Sequence, residues 1–225
     1  MDYVSDGEMQ VLDCDNQYTI PIKRSPFSLK NIIAYRELKK ILLTNDYDII
    51  HCHTPMGGVL GRLAAKNGRV KAKIIYTAHG FHFYKGAPFI NWMLYYPIEK
   101  YLSKFTDVLV TINEEDYCIA KKKFNKCRDI YKVDGVGVDL EKFVPYSIDI
   151  KNRIRTEFGF KNKDFVLLYI AEFTKRKNHF LLIKNLKKLK ESIKELKVLF
   201  AGNGPLLKKY IKKIESLGLK GDVIF

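Results

Sequence analysis

Residues 49–84, IIHCHTPMGGVLGRLAAKNGRVKAKIIYTAHGFHFY, hold two short apolar runs that each end in histidines, with a glycine-opened helical segment between them. Tyr47 to Cys52 and Lys73 to Thr77 have the length and β-branched content of strands, while Gly57 to Lys66 places apolar or small residues at helical spacing. The stretch predicts a strand, a helix and a second strand. In an open parallel sheet, ligands bind beyond the carboxyl ends of the strands, which is where His51, His53, His79 and His82 fall. Four of the five histidines therefore gather beside one expected crevice.

Upstream, Ser28 stands where it can cap a helix running to about Leu43, with Leu29, Ile32, Ile33, Leu38, Ile41 and Leu42 as its apolar face. Downstream, an aromatic helical segment spans Pro88 to Phe105, and Asp107 to Ile112 reads as a strand. Asn113 caps a helix that opens Glu114, Glu115, Asp116, with acids at its positive end. Ile130 to Val133 follows as a short strand. This alternation predicts an α/β fold with a parallel sheet covered by helices. Residues 134–145, DGVGVDLEKFVP, combine glycines, a turn-forming Asp and a proline, and read as a linker. The alternation then restarts with a helix near Asp149 to Phe158, a strand Phe165 to Ile170 and a helix Asn178 to Ser192. A strand Lys197 to Ala201, a helix Pro205 to Leu217 and a last strand Val223 to Phe225 complete it. The expected domains are residues 1–144 and 145–225. The second ends on a strand without a closing helix, so the reading takes the chain as incomplete at its C-terminus.

Hydrophobic residues make up 47% of the 225, enough for one large or two small cores, which excludes long disorder. Asp2, Asp6, Glu8, Asp13 and Asp15 give the start the wrong charge for a secretory signal. No apolar run approaches the roughly 20 residues that cross a bilayer, so a soluble, cytoplasmic protein is expected. Cys14, Cys52, Cys118 and Cys127 show no CxxC pairing and read as reduced thiols. A formal charge of +15 attracts polyanions, anionic lipid or phosphorylated substrates without choosing among them. Much of the lysine lies on expected helices, as in Lys121 to Lys123 and Lys208 to Lys213, where solvated faces account for it. No zinc finger, RNA-binding signature or basic zipper accompanies the charge, and nucleic acid is not an expected partner.

Two Rossmann-like halves joined by a GVD-containing hinge, with TAH at a strand end in the first and AGNGPL in the second, resemble the GT-B glycosyltransferases of the large retaining family 4. HTPMGGVLGRLAA, TAHGFHFYKGAP, NWMLYYPIEK and TINEEDY are similar to the branch that builds bacterial capsule or exopolysaccharide, and their order and spacing make the match specific. The resemblance implies transfer of a hexose-type sugar from a nucleotide-diphosphate donor, commonly a UDP-sugar, to a lipid-linked or saccharide acceptor. It implies retention of the anomeric configuration, no cofactor and no obligatory metal. It also implies that a first strand with a glycine-rich loop, and an acidic EGxG-type segment beyond Val223 to Phe225, are missing here. On that comparison the chain ranks as a truncated or pseudogene-like member, and a non-catalytic nucleotide- or partner-binding remnant is the alternative.

His79 falls where the family places a strand-end histidine beside the donor sugar, where an imidazole hydrogen-bonds a hydroxyl or supports charge near the anomeric centre. The competing role is a cap on the strand terminus, and His82 suits either role. Lys177, in AEFTKRKN, matches the family lysine that contacts the donor diphosphate. Many relatives carry Arg five residues earlier, where this chain has Glu172, so Arg176 or Lys175 is expected to assist. Gly202, Asn203 and Gly204 form a turn before Pro205, fit to approach the nucleotide closely.

His51 and His53, two apart on one strand, share a face, and HxH is also a metal-ligand arrangement. With His79 and His82 it would suit a metal-dependent hydrolase. That reading is the weaker, because no acidic residue sits in either motif, and no metal is expected. His53 is expected in the cleft near the acceptor, with His51 buried. Gly57 and Gly58 open a helix after Pro55, either to offer N–H groups to an anion or to pack closely, as Gly61, Ala64 and Ala65 do. Phe89, Trp92, Met93, Leu94, Tyr95 and Tyr96, flanked by Lys85 and Lys100, read as a core helix or as an interfacial helix meeting lipid-linked acceptor on an anionic membrane.

Overall fold

The computed structural model describes residues 14–135 and 137–225, and the backbone of residues 2–5. The early acids Asp6, Glu8 and Asp13 and the hinge residue Val136 lie outside the described residues. The fold is α/β. It divides into two compact units, Met1–Val138 and Asp139–Phe225, and the division falls inside the 134–145 linker.

In chain order the first unit contains β1 (Asp2–Ser5), β2 (Asn16–Thr19), α1 (Lys30–Thr44), β3 (Ile49–His53), α2 (Pro55–Gly68), β4 (Lys73–Ala78), α3 (Phe89–Leu102), β5 (Val108–Thr111), α4 (Glu114–Lys123) and β6 (Asp129–Lys132). β1 and β2 pair parallel in a two-stranded sheet of their own, at two places where no strand was expected. The main sheet is parallel in the order β3-β4-β5-β6. Its register aligns His53 with Thr77 and Ala78 with Thr111, so the strands end in step on one edge. That edge carries the histidines.

α1 departs from expectation. Its N-cap is Leu29, without a side-chain cap, and the buried positions are Asn31, Ala34, Leu38 and Leu42, leaving Leu29, Ile32 and Ile33 exposed. The helix is rotated so that Asn31 can fold the preceding turn. Its Oδ1 accepts from the Lys23 N–H at 2.7 Å, and its Nδ2 donates to the Ser25 carbonyl at 2.8 Å. Asn113 caps α4 as expected, its Oδ1 accepting from the Asp116 N–H at 2.8 Å.

Close approach, not helix propensity, explains the small residues of α2. A Cβ on Gly58 would lie 2.4 Å from the Tyr76 ring, and one on Gly61 2.5 Å from the Cys52 sulfur. The helix lies against β3 and β4 at glycine distance. Inside this contact, Arg62 is fully buried, and its Nη2 donates to Glu99 Oε2 on α3 at 2.8 Å. Its Nε donates to the Gly58 carbonyl at 2.8 Å, and the guanidinium stands 3.9 Å over the Tyr76 ring. A second core gathers Phe81, Phe83 and Phe124 with the partly buried Trp92 and Tyr96. Cys52, Cys118 and Cys127 are free thiols, and burial pushes the Cys52 thiol up to about 11, which keeps it protonated and unreactive.

The second unit contains α5 (Ile148–Glu157), β7 (Phe165–Ile170), α6 (His179–Ser192), β8 (Leu196–Ala201), α7 (Leu207–Ser216) and β9 (Val223–Ile224). Its sheet is parallel in the order β7-β8-β9. Leu196, Val198 and Phe200 of β8 are buried with Ile183 and Leu186 of α6 and with Tyr210 and Ile214 of α7. Leu168 and Ile170 of β7 are exposed, and α5 buries no residue.

At the start of α6, His179 is 0% exposed among Tyr169, Phe173, Phe200 and Tyr210, its ring stacked on Phe173 at 4.2 Å. Neither ring nitrogen meets a hydrogen-bond partner. Desolvation therefore holds its pKa below the ordinary histidine value. Because the folded pKa is depressed, the unfolded chain binds more protons below about pH 6.5, and the second unit loses stability as pH falls through that range. Calorimetric unfolding at pH 7.5 and 5.5 should show this loss in the wild-type chain and a much smaller one in His179→Phe. Equal loss in both would show that another group titrates.

Candidate functional site

The first unit builds its candidate site on the carboxyl ends of β3 and β4. Strand alternation sends Cys52 inward and leaves both His51 and His53 exposed, so the expectation that His51 is buried is corrected. His51 Nε2 pairs with Thr77 Oγ1 at 2.8 Å, and His53 Nδ1 pairs with His79 Nε2 at 3.1 Å. The rings of His51 and His53 lie 4.2 Å apart. Partial burial, then repulsion from His79, lowers the His51 pKa; partial burial, then repulsion from His51 and His79, lowers that of His53. Both are neutral at pH 7. Among the described residues, no group of three or more His, Cys, Asp or Glu is arranged to hold a metal ion.

The backbone around these rings is held from several sides. Thr54 leaves β3 at φ 63, ψ 156, a conformation that costs a non-glycine residue about 1–3 kcal/mol and turns the chain at once into α2. After His79, Gly80 at φ +127 swings the chain toward α4. There the buried Asp116 accepts from the Phe81 N–H at 3.0 Å and from Asn113 Nδ2 at 2.8 Å, and Glu115 accepts from the Lys85 N–H at 2.5 Å. Two α3 side chains complete the fixation, with Asn91 donating to the His82 carbonyl at 2.9 Å and Trp92 to the Tyr84 carbonyl at 3.2 Å. The His82 ring lies 4.6 Å from that of Tyr95 on α3. Asp116 and Thr77 were not singled out in the sequence. The acidic first turn of α4 was visible there, but its use as an acceptor for a loop 35 residues away was not.

Gly57 and Gly58 separate in role. The Gly58 N–H donates to the Thr54 carbonyl at 2.8 Å and its α-carbon faces Tyr76, so its reading as an anion donor is corrected to packing. Gly57 is half-buried and has only Thr54 Oγ1 near its α-carbon, at 3.1 Å from a notional Cβ.

The second unit has an open hollow of about 560 Å³ at the carboxyl ends of β7 and β8, lined by Ile170, Ala171, Glu172, Ala201, Gly202, Asn203 and Gly204. Its floor is two loops in contact. Phe173 N–H donates to the Asn203 carbonyl at 2.8 Å, and Leu206 N–H donates to the Phe173 carbonyl at 3.0 Å. A Cβ on Gly202 would fall 2.2 Å from the Ala171 oxygen, and one on Gly204 2.7 Å from the Phe173 nitrogen. The glycines thus have a structural cause in this close loop packing, whatever the hollow binds. Asn203 Oδ1 accepts from the Gly204 N–H at 2.7 Å. Lys177 is half-buried, its carbonyl accepting from Tyr169 Oη at 2.5 Å, while Lys175 and Arg176 are exposed. Glu172 lines the hollow and Lys177 does not.

The first unit thus ends its parallel strands in exposed histidines and the second in a hollow, and ligands of α/β units bind beyond strand ends of this kind. Residues 4–113 match the family profile described as "Glycosyl transferase 4-like", and residues 150–225 the one described as "Glycosyl transferases group 1". The protein named as glycosyltransferase EpsD in Bacillus subtilis (strain 168) is 47% identical over 222 residues, 98% of this chain and 58% of its own length. The chain belongs to the 4-like, group 1 glycosyltransferases. A second relative of this glycosyltransferase chain is the "UDP-Gal:alpha-D-GlcNAc-diphosphoundecaprenol alpha-1,3-galactosyltransferase" of Escherichia coli, 32% identical over 154 residues, 67% of this chain and 38% of that protein. The glycosyltransferase chain spans less than two thirds of the length of either relative. Sucrose-phosphate synthase of Thermosynechococcus elongatus matches it with a TM-score of 0.71 over 93% of this chain and 54% of its own, at 14% identity. That likeness carries the fold, which is of GT-B type.

Proposed function

We propose that this chain carries the acceptor-side unit and part of the donor unit of a retaining glycosyltransferase of exopolysaccharide synthesis. It moves a hexose-type sugar from a UDP-linked donor to a lipid-linked or saccharide acceptor. The observation that carries the reading is His79: an exposed imidazole beyond the carboxyl end of an inner parallel strand, in a loop fixed by Asp116, Glu115 and Asn91. A ring so held can donate to, or accept from, a sugar hydroxyl without first being ordered. The names of the relatives support the substrate classes, one being specific for a UDP-sugar and a diphosphoundecaprenol acceptor.

In the second unit, Lys177 and the exposed Arg176 supply positive charge for a leaving diphosphate, and the Gly202 to Gly204 turn approaches the nucleotide. Charge on the leaving group is then neutralised by ammonium and guanidinium, and the reaction calls for no metal. The acceptor attacks from the face that the nucleotide leaves, which retains configuration. His53, His82 and Gly57 border the acceptor side.

No described helix is long and apolar enough to cross a membrane. α3 nevertheless has two faces. Trp92, Tyr95 and Tyr96 pack on the core, while Phe89, Ile90, Met93, Leu94 and Ile98 are exposed. Lys66, Lys100 and Lys104 stand over the aromatic rings of this helix and the turn after it. We assign this outer face to peripheral contact with the anionic, cytoplasmic leaflet, where lipid-linked acceptor is met.

The test is calorimetric titration of UDP into the chain, joined to an assay of UDP release from a UDP-sugar panel with a diphosphate-lipid acceptor. Wild-type chain should bind UDP, and Lys177→Ala should bind it about 10- to 100-fold more weakly, the loss of one charge-assisted phosphate contact. Binding without release would leave a nucleotide-binding remnant. No binding of UDP or of any UDP-sugar would overturn the reading.

A further inference from the structure

We propose that His53 is a positioning residue for His79: one shared proton holds the two rings in matching tautomers and leaves Nδ1 of His79 as that ring's single free nitrogen for a ligand. The bond from His53 Nδ1 to His79 Nε2, at 3.1 Å, contains one hydrogen. If His53 donates, its proton is on Nδ1 and the His79 proton must also be on Nδ1. If His79 donates, its proton is on Nε2 and the His53 proton must also be on Nε2. No neutral state of the bonded pair has unlike tautomers.

A proton added to the pair preserves the bond, and a second one abolishes it, since both facing nitrogens would then be donors. His53 and His79 are both exposed, and His51 stands 4.2 Å from His53 between ring centres, so the bond is made beside a third imidazole. Among the described residues, the charges acting on His53 are those of His51 and His79. His51 is itself engaged by Thr77 Oγ1 at 2.8 Å, which keeps its Nε2 off His53. The outcome is that Nδ1 of His79 is left to an oxygen of the ligand, as a donor when His53 donates to His79 and as an acceptor when His79 donates to His53. In the proposed transferase, on which the identity of that ligand rests, the oxygen belongs to the donor sugar or its phosphate.

The experiment is nitrogen-15 spectroscopy of ring-labelled histidine in the 225-residue chain between pH 5 and 9, which reads tautomers directly and needs no activity. Wild type should show His53 and His79 in the same tautomer at high pH. His53→Phe should abolish the fixed tautomer of His79. His53→Asn, which retains both a donor and an acceptor at that reach, should restore it. Unlike tautomers in the wild type, or a His79 spectrum unmoved by His53→Phe in a chain whose His82 and Trp92 signals are intact, would overturn the proposal. Should the phenylalanine variant misfold, the wild-type tautomers alone decide. Failure to transfer sugar would leave these spectra unchanged, so the two readings fail separately.

Discussion

Glu99→Ala should lower the stability of the first unit by about 3–5 kcal/mol, because it strands a buried guanidinium. The Arg62 side chain is 1% exposed and that of Glu99 10%, with 2.8 Å between Nη2 and Oε2. Arg62 retains only the Gly58 carbonyl and the Tyr76 face when the carboxylate is removed. Neither neutralises its charge. Trp92, the one tryptophan in the chain, lies in the same unit on α3, so its fluorescence follows this unit during urea unfolding. With a slope of about 1–3 kcal/mol/M, the midpoint should fall by about 1–5 M. The double variant Arg62→Leu with Glu99→Leu should recover most of the loss, since it removes both desolvated charges and keeps the volume. A stability loss under about 0.5 kcal/mol in Glu99→Ala would mean that water reaches Arg62, and the buried pair would not be what joins α2 to α3.

Gly202→Ala should destabilise the second unit by about 3 kcal/mol, with overpacking and a disfavoured backbone acting together. At φ +147 an L side chain is strained, and its Cβ would meet the Ala171 oxygen at 2.2 Å and carbon at 2.9 Å. These are backbone atoms in a loop that is itself bonded to the turn, so no rotamer change relieves the contact. The change should appear in the calorimetric transition that Trp92 does not report and leave the fluorescence transition in place. Ala at the open Gly221, where nothing lies within 4 Å of a notional Cβ, is the matched control. If Gly202→Ala unfolds like wild type yet loses UDP, the glycine serves the ligand and not the loop contact.

Local pattern carried the alternation of strands and helices. Phe165 to Ile170 was legible to the residue, because an apolar β-branched run between charged and turn residues has few other uses. The crevice histidines were legible for the same reason, since a strand's last residues are fixed by where its apolar run stops. The phase of α1 was not legible. Leu29, Ile32 and Ile33 satisfy helical spacing, yet Asn31 is buried in their stead, and the cause is a set of bonds to Lys23 and Ser25 outside the helix. Pairing across distance was equally hidden: Arg62 and Glu99 are 37 residues apart, and an arginine in an amphipathic helix reads as solvated until its partner is known. Gly58 shows a third kind of silence. Its spacing was visible, but only the position of the Tyr76 ring separates a tight contact from an open helix end.

The all-parallel register has a kinetic consequence. No two neighbouring strands in either main sheet are joined by a hairpin: Ile49 must find Lys73, and Phe165 must find Leu196, each across a helix. During synthesis every strand therefore waits for its partner to leave the ribosome, with helices formed and strand edges bare. Such a chain accumulates slowly into native pairs and is vulnerable to aggregation while it does, so cooler and slower expression should favour its recovery in folded form.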